Sequence, residues 1–261
     1  DRSPSRGLGD VYKRQIISNN NSSINIFEVF TMIRLTLGNK FNVDVVPLFE
    51  SVSDLENAGN IMDKVYSNKL YREHIIRRGN VQTVMLGFSD GTKDGGYLTA
   101  NWSILKAKES LTKVSRKFGI KVIFFDGRGG PPARGGGNTH QFYSSLGDFI
   151  ESDEIQLTVQ GQTISSNFGT IKSSQYNMEQ LITSGLKNRI LSNSEVFNKK
   201  NRKTIEKLSS ISYNSYKDFK SHPSFIPYLE KMSTIKYYSK TNIGSRPSKR
   251  GLKGEAFNFD K

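Results

Sequence analysis

The stretch IKVIFFDGRGGPPARGGG, Ile120 to Gly137, decides how the rest of the chain is read. Its first part, Ile120–Phe125, is apolar except for Lys121 and predicts a buried strand. Its second part, Phe124–Gly137, holds six glycines, two arginines and one aspartate directly behind that strand. Glycine lets a ligand approach the backbone amides closely. Arg128 and Arg134 supply fork-shaped donors suited to phosphate or carboxylate. A flexible linker is the bland alternative, but linkers rarely join arginines and a double proline to a buried strand. The stretch therefore reads as a small-anion site at the carboxyl end of a strand.

Working outward, the same unit recurs. Val43–Leu48 (VDVVPL) and Val81–Phe88 (VQTVMLGF) predict two earlier strands, and Ile155–Val159 a later one. Between them lie helical patterns: Ile24–Leu37, a stretch from Ser53 with Leu55, Ala58, Ile61, Met62 and Val65 on one side, and Lys69–Arg77 with Tyr71 and Ile75 inward. Ala100, Ile104, Ala107, Leu111, Val114 and Phe118 step by four and three along one helix face, and Gly119 follows as a C-terminal cap. Ser89–Gly96 reads as a polar loop, and Thr139–Ile150 as a helix. Glu50, Asp90 with Lys93, Arg128 with Arg134, and Gln160 with Gln162 all follow strand ends. Strand, polar loop and helix in alternation predict a parallel α/β sheet. A (β/α)8 barrel gathers its chemistry at the strand carboxyl ends, and an open doubly wound sheet also binds ligands there. Four successive strands with polar ends favour the barrel.

After Gly161 the composition shifts to Ser, Asn and Lys, with helices predicted at Gln175–Leu191, Ser194–Phe219 and Ser224–Met232. Met178, Leu181, Ile182 and Leu186 form one expected packing face, and Val196, Phe197, Ile205, Leu208 and Ile211 another. The first fifteen residues, ending GDVYKRQ, look like translated adapter sequence, so 1–15 is expected to be a non-native leader. Residues 16–261 are then one partial barrel domain, with strand–helix repeats over 16–170 and a basic helical part over 171–261.

Composition narrows the functional classes. The chain has 261 residues and no cysteine, which excludes disulfides and thiolate metal sites and suits a reducing, cytoplasmic setting. His74, His140 and His222 lack metal-ligand spacing. No run reaches a membrane-spanning length, so no membrane partner is expected. The net charge is +14, but 17 Lys and Arg against 6 Asp and Glu from Leu186 onward account for +11 of it. That excess suggests one alternative class, a basic nucleic-acid-binding module. The lysines concerned, Lys199, Lys200, Lys203 and Lys207, read more simply as a solvated helix face, without specific nucleic-acid binding. The glycine loop fits neither G-x-x-x-x-G-K-[ST] nor G-x-G-x-x-G, so nucleotide binding is disfavoured. Glu50 and Asp90 at successive strand ends suit Mg²⁺ or Mn²⁺, although capping would explain either acid alone. A metal, two arginines and Lys93 together suit a phosphorylated, carboxylate-bearing small molecule.

Five stretches, in order, carry a family resemblance: PLFES (Pro47–Ser51), MLGFSDGTKDGGYLTANW (Met85–Trp102), FFDGRGGPPARGGG (Phe124–Gly137), LTVQGQTI (Leu157–Ile164) and GSRPSKR (Gly244–Arg250). They resemble the barrel-core motifs of the phosphoenolpyruvate carboxylase family. The resemblance implies a carboxy-lyase reaction in which phosphoenolpyruvate and bicarbonate give oxaloacetate and phosphate, feeding the tricarboxylic acid cycle. It implies Glu50 and Asp90 as ligands of Mg²⁺ or Mn²⁺. Arg128, with Gly129 and Gly130, would bind the substrate phosphate. Arg134 would act in catalysis and in inhibition by aspartate, Arg246 would bind substrate, and Lys93 would lie near the metal. It also implies a homotetrameric parent. Two departures stand out. Many members carry histidine where this chain has Asp126, and the family's T-A-H-P motif with its catalytic histidine does not occur here. The chain is therefore expected to be an internal part of a family member, inactive by itself. Another phosphoenolpyruvate-handling barrel enzyme is the remaining alternative.

Overall fold

The computed structural model describes residues 14–128, 138–147, 149–159, 162–190 and 198–234. Its centre is a five-stranded parallel sheet with strands in chain order, β1 (Arg14–Ile17), β2 (Asp44–Phe49), β3 (Val81–Gly87), β4 (Lys121–Gly127) and β5 (Ile155–Leu157). Helix α1 (Ser23–Leu37) joins β1 to β2, and α2 (Val52–Ser67) and α3 (Lys69–Arg77) join β2 to β3. Next come α4 (Phe88–Gly95) and α5 (Tyr97–Lys117) before β4, then α6 (Thr139–Ser144) before β5. The remainder is helical: α7 (Gln162–Phe168), α8 (Ile171–Ile190), α9 (Lys199–Ser221) and α10 (Phe225–Met232). Neighbouring strands follow chain order without the reversal of a doubly wound sheet. The arrangement is compatible with part of a (β/α)8 barrel, and the described strands form an open sheet.

The core forms because central strands are apolar on both faces. In β2 every residue after Asp44 is buried, as parallel sheets covered by helices require. Pro47 has no N–H to offer. The β2–β3 pairing begins just after it, at Leu48↔Met85. Leu55, Ala58, Ile61, Met62 and Val65 of α2 are buried, as are Tyr71 and Ile75 of α3 and Ala100, Ile104, Ala107 and Leu111 of α5. Ser51 caps α2 in a reciprocal capping box with Asp54. One buried polar side chain is matched on both sides of its amide. Gln82 in β3 accepts from the Tyr71 hydroxyl at 2.9 Å and donates to the Val45 carbonyl at 2.8 Å.

The structure corrects several expectations. Ser89–Gly96 is mostly helix rather than loop: α4 starts at Phe88 and runs through the glycines to Gly95. The helix expected over Thr139–Ile150 is only α6, Thr139–Ser144. Leu146 and Ile150 beyond it still enter the core. The strand expected at Ile155–Val159 is the three-residue β5. Strand β1 was not anticipated, and Arg14 and Gln15 within it fall in the stretch read as a leader. On α8, Met178, Ile182 and Leu186 are exposed, and only Leu181 packs against the core. Leu208 and Ile211 of α9 are exposed as well. Their expected partners Val196 and Phe197 lie outside the described residues.

His74 links this core to pH. Its ring stacks on Phe41 with centroids 4.4 Å apart and is buried. Burial, with the Arg77 charge adding to it, pulls the imidazole down from 6.5 to about 4. The core accepts the neutral ring, so the unfolded chain takes up a proton first as pH falls. The contribution is full above 6.5 and is lost toward pH 4. Chemical unfolding of wild type should show a loss of about 3 kcal/mol across that window that His74→Phe does not show.

Candidate functional site

Parallel pairing brings the carboxyl ends of β2, β3 and β4 side by side. Phe49 pairs with Leu86, and Gly87 with Gly127. Glu50 leaves β2, Asp90 sits in the first turn of α4 just after β3, and Arg128 leaves β4. Sequence positions 40 residues apart thus meet on one edge. Gly87 makes the close approach feasible: a Cβ there would lie 3.1 Å from Glu50 Cγ and 3.3 Å from Glu50 Cα. A Cβ at Gly127 would lie 3.0 Å from the Leu86 carbonyl oxygen.

Glu50 and Asp90 carboxyls are within hydrogen-bonding reach of one another. Burial raises the Glu50 acid above its ordinary value. An amide hydrogen bond from Asn19 to Oε2, at 3.1 Å, opposes this, and the Asp90 charge adds to the rise. A carboxyl group whose ionisation is disfavoured beside a second carboxyl group is what a cation relieves. Mg²⁺ and Mn²⁺ bind through one or two carboxylates and complete their shells with water and substrate oxygens, which this pair fits. Among the described residues no group of three or more His, Cys, Asp and Glu could hold a metal. Lys93 Nζ lies 2.5 Å from Asp90 Oδ1 on the same helix, and both side chains reach solvent. The N-terminal end of α4 also favours the negative charge of Asp90.

Arg128 is buried with its guanidinium 4.2 Å from the centroid of the Phe142 ring, and the Tyr143 and Phe88 rings are also near, at 5.5 and 5.9 Å. Burial pulls the guanidinium below the ordinary arginine value, and Tyr143 and Asp126 oppose it. Behind it, Lys108 Nζ donates to Asp126 Oδ2 at 2.8 Å, and Tyr143 Oη donates to the same oxygen at 2.7 Å. Asp126 Oδ1 is buried without a hydrogen-bond partner among the described residues.

Helix α9 braces this region. Lys220 Nζ donates to the carbonyls of Lys93 and Asp94 at the end of α4, at 3.1 and 3.4 Å. Asp94 Oδ2 in turn accepts from the Val52 amide at the start of α2, at 2.9 Å. Arg202 pairs with Glu109, and Glu206 accepts from the Trp102 indole and from Lys106, tying α9 to α5. A cleft of about 430 Å³ lined by Tyr97, Leu98, Trp102, Phe142, Leu146 and Ile205 contains neither Glu50, Asp90 nor Arg128.

Of the residues singled out from sequence, the structure brings Glu50, Asp90 and Lys93 together and sets Arg128 on the adjoining strand end. Arg134, Arg246, Gly129, Gly130 and Gln160 lie outside the described residues. Lys199, Lys200, Lys203 and Lys207 are exposed on α9. No described helix is long and apolar enough to cross a membrane. Sequence reasoning missed Lys108, Tyr143 and Lys220. Lys108 was discoverable, because it falls four residues after Ile104 and three before Leu111, inside the apolar stripe of α5. Tyr143 and Lys220 act across long chain separations and left no local signal.

A model of the phosphoenolpyruvate carboxylase family matches residues 4–258. With that match spanning nearly all of the 261 residues, the chain belongs to the phosphoenolpyruvate carboxylase family.

Proposed function

We propose that the chain carries the metal-binding and phosphate-binding part of a phosphoenolpyruvate carboxylase site, within a partial (β/α)8 barrel. The observation that carries this reading is the Glu50–Asp90 carboxyl pair at adjoining strand ends, with Arg128 at the next. In the proposed reaction a bicarbonate oxygen attacks phosphorus and the bond from phosphorus to the enol oxygen breaks. Carboxyphosphate and the enolate of pyruvate result. Carboxyphosphate releases CO₂ and phosphate, and the enolate carbon attacks CO₂ to give oxaloacetate.

Each residue has a role in that scheme. Glu50 and Asp90 would hold Mg²⁺ or Mn²⁺, which when bound supplies Lewis-acid stabilisation of negative charge on the substrate. Lys93, whose ammonium lies beside Asp90 and reaches solvent, would offer its charge to the substrate at the mouth of the sheet. Arg128 binds the phosphate from a buried position, where a charge interaction is stronger than in water. Gly129 and Gly130 would let the phosphate reach backbone amides. Arg134 would cover the site and keep water from the short-lived intermediates. Arg246 would complete the substrate contacts. The family resemblance also supports a cytoplasmic, homotetrameric parent with aspartate-type inhibition.

Titration with Mn²⁺ followed by electron paramagnetic resonance should show one site that Glu50→Gln weakens at least roughly ten-fold. Because the Glu50 acid is raised, that affinity should fall on acidification at a higher pH than an ordinary carboxylate would give. Mn²⁺ binding that ignores both Glu50→Gln and Asp90→Asn would remove the metal assignment.

Activity supplies a separate test. The complete open reading frame around this chain should make oxaloacetate from phosphoenolpyruvate only when bicarbonate is present, read by coupling to NADH oxidation. Arg128→Ala in it should lower kcat/KM by about a hundred-fold or more. The 261-residue chain alone, without a T-A-H-P histidine, should make none. Turnover that persists when bicarbonate is omitted would point to a different phosphoenolpyruvate-handling enzyme.

A further inference from the structure

Three ionisable groups in the core stand behind Arg128, and the phosphate reading leaves them without a task. Lys108 and Asp126 are both fully buried, one on α5 and the other one residue before the end of β4. Their ion pair and the Tyr143 hydroxyl converge on a single oxygen, Asp126 Oδ2. Tyr143 is also within hydrogen-bonding reach of Arg128.

Donor and acceptor chemistry fixes the direction of this chain. Lysine and arginine only donate, an ionised carboxylate only accepts, and a hydroxyl does both. The Tyr143 proton is therefore committed to Asp126, which leaves the hydroxyl oxygen to accept from Arg128. The order is Lys108 to Asp126, Tyr143 to Asp126, Arg128 to Tyr143. The Phe142 ring lies against the guanidinium, 4.2 Å from its central carbon to the ring centroid.

Stability alone is a poor reason for such an arrangement. A buried ion pair is often no better than apolar residues of the same volume. We infer that Lys108, Asp126 and Tyr143 are positioning residues: Lys108 holds the Asp126 carboxylate, which orients the Tyr143 hydroxyl, which holds Arg128 against Phe142 in a fixed orientation toward a substrate phosphate. This rests on the assignment of Arg128 to phosphate made above.

The test uses the full chain, phosphoenolpyruvate as probe and nitrogen-15-labelled arginine. Tyr143→Phe removes one oxygen and keeps the ring. The double variant Lys108→Met with Asp126→Asn removes both charges together. Both are expected to keep the wild-type unfolding temperature within a few degrees, to bind phosphoenolpyruvate roughly ten-fold more weakly, and to let the Arg128 guanidinium signals merge as its rotation speeds up. Wild-type affinity and wild-type Arg128 signals in Tyr143→Phe overturn the inference, and that single-oxygen change decides the matter if the double variant does not fold. The phosphate assignment fails in a different place: phosphoenolpyruvate binding absent from wild type, or unchanged in Arg128→Ala, removes it and the positioning role with it.

Discussion

Parallel pairing is the constraint from which the rest follows. When every strand runs the same way, every strand carboxyl end lies on one edge of the sheet, whatever the sequence separation. Register then sets which residues share a row. Because Gly87 lies opposite Gly127 and Phe49 opposite Leu86, the residues just beyond them, Glu50, Asp90 and Arg128, emerge close together. The two glycines matter because they sit where side chains would occupy the space that Glu50 and the Leu86 carbonyl need. The chemistry at this edge is thus a property of backbone geometry before it is a property of any side chain.

The second layer of the structure holds that edge still. Helix α4 is short, glycine-rich and carries no side-chain cap at its start. It keeps its place through contacts made elsewhere: the Asp94 carboxylate on the α2 amide and the Lys220 ammonium on its last carbonyls. A cation at a helix C-terminus is favourable in itself. Here it also connects the basic helix α9 to the element that bears Asp90 and Lys93. Part of the C-terminal positive charge therefore has structural work, in Lys220 and Arg202, while the lysines on the outer side of α9 face solvent.

The legible parts of this fold are those written in local periodicity. The buried faces of α2, α3 and α5 could be read because burial repeats every three to four residues, and the strands β2 to β4 because each is a short, nearly continuous apolar run. Glu50, Asp90 and Arg128 could be read because each follows such a strand directly. Helix α4 could not, since Gly91, Gly95 and Gly96 signal a loop and only its tertiary contacts keep it helical. The faces expected on α8 failed for the opposite reason. Met178, Ile182 and Leu186 have helical spacing, but spacing says that residues share a side and not that anything covers it. The Asp126 partners were illegible because a lysine and a tyrosine from two other elements meet it only in three dimensions.

The sharing of one carboxylate oxygen by Lys108 and Tyr143 also has a consequence for how such a chain can vary. Position 126 is not an independent letter. Exchanging Asp126 alone strands a lysine ammonium in the core, and exchanging Lys108 alone strands a carboxylate. Neighbouring sequences that differ at one of these positions are thus separated from this one by a poorly folding intermediate, unless both letters change together. The pair behaves as a two-character lock, and homologues should fall into discrete types at positions 108 and 126 rather than into a continuum of mixtures.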